Sequence, residues 1–497
     1  MNTFPRRRFL ATTAGALAGL GNLDFIRGLP RVSAQEAALD SKMVRFRPEM
    51  EPLVKLLSET PRERLLEEVA AAIKKGVTYN QLLTAVFLAG VRDVQPRPVG
   101  FKFHAVLVIN SAHLAAQAAR DDDRWLPLFW ALDQYKASQA ANVKEGNWHL
   151  SPVEESKVPP PHKARAAFIE AMEAWDAEAA DAAIAGLGRC TGANDLFELF
   201  ARFGARDFRA IGHKAIYVAN SWRALNTIGW QHAEPVLRSL TYALMAYDGD
   251  NPAKRDGAED RPGRRNRELA AKIRGEWLDG KTDDAAVSDL LAALRQASAD
   301  SAADKVVELL NKGIAPQSVW DGLFAGANEL LMRAPGIRSL HAVTTTNALH
   351  HAFKTSASDE TRRWLLLQNA SFIPLFRGDP GNGVEIDKFE PSAGSGLEDI
   401  FASVGKDNTA AAAKALAHLK AVGEGESFCD AARRLIYLKG TDAHDYKFSG
   451  AALEDYSHVS PQWRDRFLAA SVFWFKGSSA ADSGLVKRTR AALGIAG

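Results

Sequence analysis

A stretch that occurs twice constrains this chain more than anything else in it. Gly100-Phe-Lys-Phe-His104-Ala-Val-Leu-Val-Ile-Asn110-Ser-Ala-His113 is matched by Ile337-Arg-Ser-Leu-His341-Ala-Val-Thr-Thr-Thr-Asn347-Ala-Leu-His350. Both copies carry His-Ala-Val, an Asn six residues after the first His, and a second His three further on; they lie 237 residues apart. At the same offset Gly76 meets Gly313, Phe87 meets Phe324 and Pro98 meets Pro335. A two-residue insertion then raises the offset to 239, where Arg124-Trp125-Leu126 meets Arg363-Trp364-Leu365. A shorter connector lowers it to 231, where Asp176 meets Asp407, His213 meets His444 and Leu237 meets Leu468. Landmarks that recur in order with few gaps point to an internal duplication.

The duplicated unit is helical. Leu53, Leu56, Leu57, Leu65, Leu66, Val69 and Ile73 recur at steps of three and four, the period of an amphipathic helix. Thr60 as cap with Pro61 in the first turn predicts a helix start, and Gly76 after Lys74-Lys75 predicts its end. Ala164 to Leu187 is one alanine-rich helical run, and Asp121 to Asp123 cap a helix opening at Arg124. No series of alternating β-branched residues predicts strands. A helix pair cannot bury its apolar face alone, so repeated units stack. The expected fold is all-α: two tandem related helical halves, 40–247 and 285–497, packed about a pseudo-two-fold axis. Residues 248–284 form a linker and connecting helix between them.

Residues 1–34 have the form of a twin-arginine signal peptide. Arg6-Arg7-Arg8-Phe9-Leu10 opens it, a glycine-rich apolar segment follows to about Gly21, and Val32-Ser33-Ala34 offers a small-residue cleavage site. The apolar segment is too short for a stable membrane anchor. The expected destination is periplasmic or secreted, with export in the folded state, a route whose passengers often carry a cofactor. An oxidising compartment permits Cys190 and Cys429 to pair, although two free thiols fit the sequence equally. A net charge of +2 gives no field for a polyanion, so no nucleic-acid partner is expected. The basic run Arg261 to Arg267 is taken as solvated linker.

Six of the 12 histidines fall in equivalent pairs: His104 with His341, His113 with His350, and His213 with His444. Imidazole suits a transition-metal site or acid–base work near neutrality. At about 100° per residue, His104 and His113 lie roughly 180° apart on one helix and cannot hold one ion together. Two arrangements remain. In one, His104, His341, His213 and His444 converge at the centre, because both His104 and His213 follow a break and open a helix. In the other, Asn110–His113 and Asn347–His350 face each other across the axis. The first is favoured. It makes His104, His341, His213 and His444 metal ligands (iron or copper, or haem) or acid–base groups, with His113, His350, Asn110 and Asn347 as supporting catalytic residues. The sequence holds no H-E-x-x-H, Walker loop, G-x-S-x-G or C-x-x-C-H. Tyr217, Trp222 and Trp230, and also Phe473 to Phe475, are expected in the core, and Gly378 to Gly383 in a turn.

His341-Ala-Val-Thr344-Thr-Thr-Asn-Ala348-Leu349-His and Gly212-His213-Lys-Ala-Ile216-Tyr217 resemble motifs of the questin oxidase-like proteins. That helical family includes enzymes that oxidatively open polyketide-derived rings. The resemblance implies an α-helical oxidoreductase acting on a small organic substrate, with the histidine helices as the shared region. The expectation is therefore an exported oxidoreductase with a histidine-lined site between duplicated halves. The competing expectation is a non-catalytic periplasmic α-helical repeat protein that binds a partner.

Overall fold

Helix signals in the sequence account for most of the helix ends in the structure. Thr78 starts a helix through a capping box: its hydroxyl accepts from the Gln81 amide, and the Gln81 side chain accepts from the Thr78 amide at 2.9 Å. Gly76, at φ 106°, ends the helix before it. That earlier helix begins directly after Pro61 and has no side-chain cap from Thr60.

A computed structural model describes residues 42–96, 101–121, 123–245, 251–378, 383–393 and 396–495, and the side chains of these except 101–103. The signal-like residues 1–34 and most of the 378–383 turn lie outside the described residues. Met1–Met43 is set apart as one unit, of which Lys42 and Met43 are described. Val44–Gly497 forms the other unit, to which everything below refers.

The described residues are all-α, with one isolated bridge between Lys281 and Ile314 and no strand. Ten helices come first: α1 (Glu51–Glu59), α2 (Arg62–Lys74), α3 (Tyr79–Asp93), α4 (Phe101–Gln117), α5 (Leu126–Lys144), α6 (Pro161–Ala174), α7 (Ala177–Gly188), α8 (Ala193–Gly204), α9 (His213–Ile228) and α10 (Ala233–Met245). After α11 (Arg261–Ala270), ten more follow at the spacings noted above: α12 (Asp284–Gln296), α13 (Ala299–Asn311), α14 (Pro316–Arg333), α15 (Ile337–Thr355), α16 (Asp359–Phe376), α17 (Leu397–Ser403), α18 (Asn408–Val422), α19 (Glu426–Lys439), α20 (Ala443–Asp455) and α21 (Pro461–Ala470). The chain closes with α22 (Gly484–Leu493). Helices α2 and α13 begin and end 237 residues apart. The packing is reciprocal: α11 lies on α13 and α16, whereas α22 lies on α2 and α5. None of the described helices is long and apolar enough to cross a membrane.

Three sequence expectations are corrected. The run from Ala164 to Leu187 is two helices, because Trp175 turns left-handed (φ 64°) and Asp176 caps the next helix by accepting from the Ala179 amide. Arg261 to Arg267 is no open linker. It forms the first turns of α11, with Arg264 paired to Asp256 and Arg265 to Asp304. The helix after Asp123 starts at Leu126, with Trp125 at the cap position.

Four helices meet in the middle. Helix α4 packs on α9 and α20, and α15 packs on the same two. Nearly every residue of α15 from Ser339 to Phe353 is buried, including Thr344, Thr345, Thr346 and Asn347. A helix buried on every side normally carries apolar residues throughout. Polar residues kept there need partners, and the centre of this crossing provides them.

Candidate metal centre at the crossing of four helices

Each of the four central helices brings one histidine to the crossing. His213 is the first residue of α9, and the backbone before it is unusual. Ala210 (φ 58°), Ile211 (φ 47°) and Gly212 (φ 80°) are all left-handed, a conformation that costs a β-branched residue on the order of 1–3 kcal/mol. The surroundings hold it in place. Lys214 forms a fully buried ion pair with Asp207 at 2.9 Å, and Arg209 one with Asp260 at 2.9 Å. The Gln368 amide donates to the Ala205 carbonyl at 2.6 Å, and the Phe208 amide to the Glu259 carbonyl at 2.8 Å. The strained turn aims the Ala210 carbonyl at Nδ1 of His213, 2.7 Å away.

His341, in the second turn of α15, donates from Nδ1 to the Ile337 carbonyl at 2.6 Å. His444 follows the α20 cap Asp442, whose carboxylate accepts from the His444 amide and lies 3.3 Å from its Nδ1. The hydrogen bond from His444 holds the Asp442 carboxyl below its ordinary value. His104 opens α4. With Nδ1 of His213 and His341 protonated toward carbonyls, their Nε2 atoms are bare lone pairs; the tautomer follows from these partners.

The Nε2 atoms converge. His104 Nε2 lies 3.0 Å from His213 Nε2, which lies 3.1 Å from His341 Nε2. His104, His341 and His444 each place one ring nitrogen within 4.8 Å of the others. Burial, followed by the charge of Lys447, pushes the basicity of His104, His213 and His341 well below the ordinary imidazole value. All three are therefore neutral ligand-type imidazoles. The favoured sequence arrangement, with these four residues converging, is the one the chain adopts.

Lys447 was not anticipated. It sits one helical turn after His444 on the same face, is 2% exposed, and places Nζ 3.1 Å from His341 Nε2, 3.3 Å from His104 Nε2 and 3.4 Å from His213 Nε2. Burial pulls its basicity down to about 7. At the 231 offset its counterpart is Ile216. A lysine replacing an apolar residue three positions after a paired histidine was the available signal.

A polar throat leads to Lys447. Asn110, Asn220, Asn347, Arg223 and Glu454 line it, and its volume of about 10 Å³ is room for one water. Through Ser111, Leu114, Gly450 and Glu454 it joins an outer cleft of about 430 Å³ that also touches Gln117, Arg433, Tyr446 and Ser449. Arg223 pairs with Glu454 at 2.5 Å, and these residues occupy equivalent positions of the two halves. The Asn347 amide donates to Glu454 and to Asp455, each at 2.8 Å.

His113 and His350 stand apart from the centre. Nδ1 of His113 meets the Tyr79 hydroxyl at 3.1 Å. His350 is buried against Trp320, Phe324 and His458, with ring centroids 4.8, 5.0 and 4.8 Å away. Asn110 and Asn347 do face the throat, and three further residues turn a helix about 60° past them, which carries each second histidine out of it. Cys190 is exposed, Cys429 is buried, and the two are not bonded to each other. Tyr217, Trp222 and Phe473 are core residues, as expected, while Trp230 packs at its margin. No protein-family model, curated protein or solved structure matches this chain.

Proposed function

We propose that the chain is an exported oxidoreductase with one transition-metal ion bound by His104, His213 and His341, and with His444 at the rim. The observation that carries this is the convergence of bare Nε2 lone pairs at 3.0 and 3.1 Å. Lone pairs at that separation repel unless a cation lies among them. Metal–imidazole bonds of about 2.0–2.1 Å put neighbouring ligand nitrogens roughly 3 Å apart. The outer contacts fit as well: ligating histidines donate their other N–H to a carbonyl or carboxylate, as His213, His341 and His444 do. A bare ion fits here and a haem does not. Axial nitrogens across a haem iron need about 4 Å between them, and the throat has no space for a macrocycle.

When bound, iron or copper supplies redox chemistry, and any of the imidazole-binding metals supplies Lewis acidity. The residues of the chain set what reaches it. The throat admits a ligand about the size of water or dioxygen, and the amides of Asn110 and Asn347 hold it by hydrogen bonds. A small organic substrate fits the outer cleft. The resemblance to questin oxidase-like proteins supports oxidation of such a molecule, and the twin-arginine signature supports export with the ion already in place. The matched helix order and reciprocal packing support two copies of one unit about a pseudo-two-fold axis, each giving two histidines.

Anaerobic titration of chelator-treated protein with Fe(II) or Cu(II) should saturate at one ion per chain, and the loaded protein should consume dioxygen with an oxidisable aromatic compound. Saturation without dioxygen uptake would contradict the oxidoreductase reading and leave the metal centre standing. A second reading is a metal-free acid–base centre, favoured by the three N–H donors of the Lys447 ammonium facing three Nε2 acceptors. Turnover unaffected by chelators would favour it.

A further inference from the structure

The nitrogens nearest the middle of the site are not all imidazole. Taking the Nε2 atoms of His104, His213 and His341 together with Nζ of Lys447, the measured separations are 3.0, 3.1, 3.1, 3.3 and 3.4 Å. A regular tetrahedron around an ion with bonds of about 2.0–2.1 Å has edges of roughly 3.3–3.4 Å. Four nitrogens from four side chains on α4, α9, α15 and α20 thus approximate one coordination polyhedron.

We propose that Lys447 is itself a metal ligand, its neutral Nζ completing a tetrahedron with Nε2 of His104, His213 and His341. This rests on the metal reading above. The stem of Lys447 occupies the position that Ile216 holds in the other half, so its methylenes pack where an apolar side chain is expected and only the amine reaches the polar centre. Among the described residues no carboxylate is ion-paired with it, and a buried ammonium without a counter-ion is costly. Ligation removes that charge: the N–H bond breaks, its electron pair becomes the donor to the ion, and one proton per ion leaves to solvent. His444, held by Asp442, then stands outside the polyhedron. The two halves thereby differ in function although their helices correspond, since only one supplies an amine.

X-ray absorption on the zinc-loaded wild-type chain tests this without a substitution. The expected shell is four nitrogens, of which three give the outer scattering of imidazole; a shell with four imidazoles would assign the fourth position to His444 and overturn the proposal. Lys447→Met tests it from the other side. It should keep the helical circular dichroism, bind Co(II) at least about tenfold more weakly and change the visible Co(II) spectrum from that of a tetrahedral ion. Equal or tighter binding with an unchanged spectrum would show the lysine to be a competitor for the site. Wild-type protein that binds no ion at all would overturn the metal reading itself, and this inference with it.

Discussion

Nε2 of His213 and Nε2 of His341 face each other at 3.1 Å, while Nδ1 of each is committed to a backbone carbonyl, that of Ala210 or Ile337. The two rings come from α9 and α15, in different halves of the chain. Neither ring can turn to relieve the contact without abandoning a buried carbonyl, which would then lack a partner at a cost of about 1–3 kcal/mol. The array is thus prepared for a cation before one arrives. His213→Ala or His341→Ala should each weaken ion binding at least about 100-fold, beyond the loss usual for an outer-shell partner. Isothermal titration with Zn(II) checks this. A loss under about threefold for both would remove these residues from the ligand set.

The left-handed turn before His213 sets a second prediction. A Cβ on Gly212 would stand 2.0 Å from Oγ1 of Thr345, and φ is 80°. Gly76 is also left-handed, but a Cβ there meets nothing within 4 Å. Gly76→Ala should cost about 1 kcal/mol, the backbone penalty alone. Gly212→Ala should cost about 2–4 kcal/mol, backbone plus clash, and should also weaken ion binding by moving His213. Urea midpoints of the two variants measure the difference; equal losses would show that the Thr345 contact is not tight.

Asp455 gives a pH prediction. It is fully buried, accepts from Asn347 at Oδ1, and leaves Oδ2 without a partner. Burial, followed by the Glu454 charge, raises its carboxyl well above the ordinary value. The folded chain therefore prefers the protonated form. Its contribution to stability is complete below about pH 3.9, where the unfolded chain is protonated too. It is lost as pH climbs through the raised folded value. Asp455→Asn keeps the acceptor for Asn347 and carries no charge, so it should stabilise the protein increasingly between pH 5 and 8. Denaturation midpoints across that range test it. A constant difference from the parent would contradict a buried, raised carboxyl.

The four histidines were legible because each sits beside a helix start and recurs at a fixed offset, two signals that survive without any contact information. The helical wheel also separated His104 from His113 correctly. Lys447 escaped because lysine is normally a surface residue, and only its alignment with Ile216 marks it. The left-handed Ala210 and Ile211 could not be read at all. Nothing local favours φ above zero at either, and the conformation exists because Asp207, Asp260 and Gln368 hold the loop from outside. Trp175 hides a helix break for the same reason, since a tryptophan at φ 64° is a tertiary outcome. The throat was half legible: Asn110 and Asn347 belong to the repeated motif, whereas Arg223 and Glu454 face each other only after folding.

The central claim is that a transition-metal ion sits among His104, His213 and His341. Its most direct test is the metal content of mature protein produced through its own export route and purified without chelators. The account predicts about one iron, copper or zinc ion per chain, lost in His341→Ala while helicity is kept. Folded wild-type protein with less than about 0.1 equivalent of any transition metal, and no uptake on titration, would contradict it.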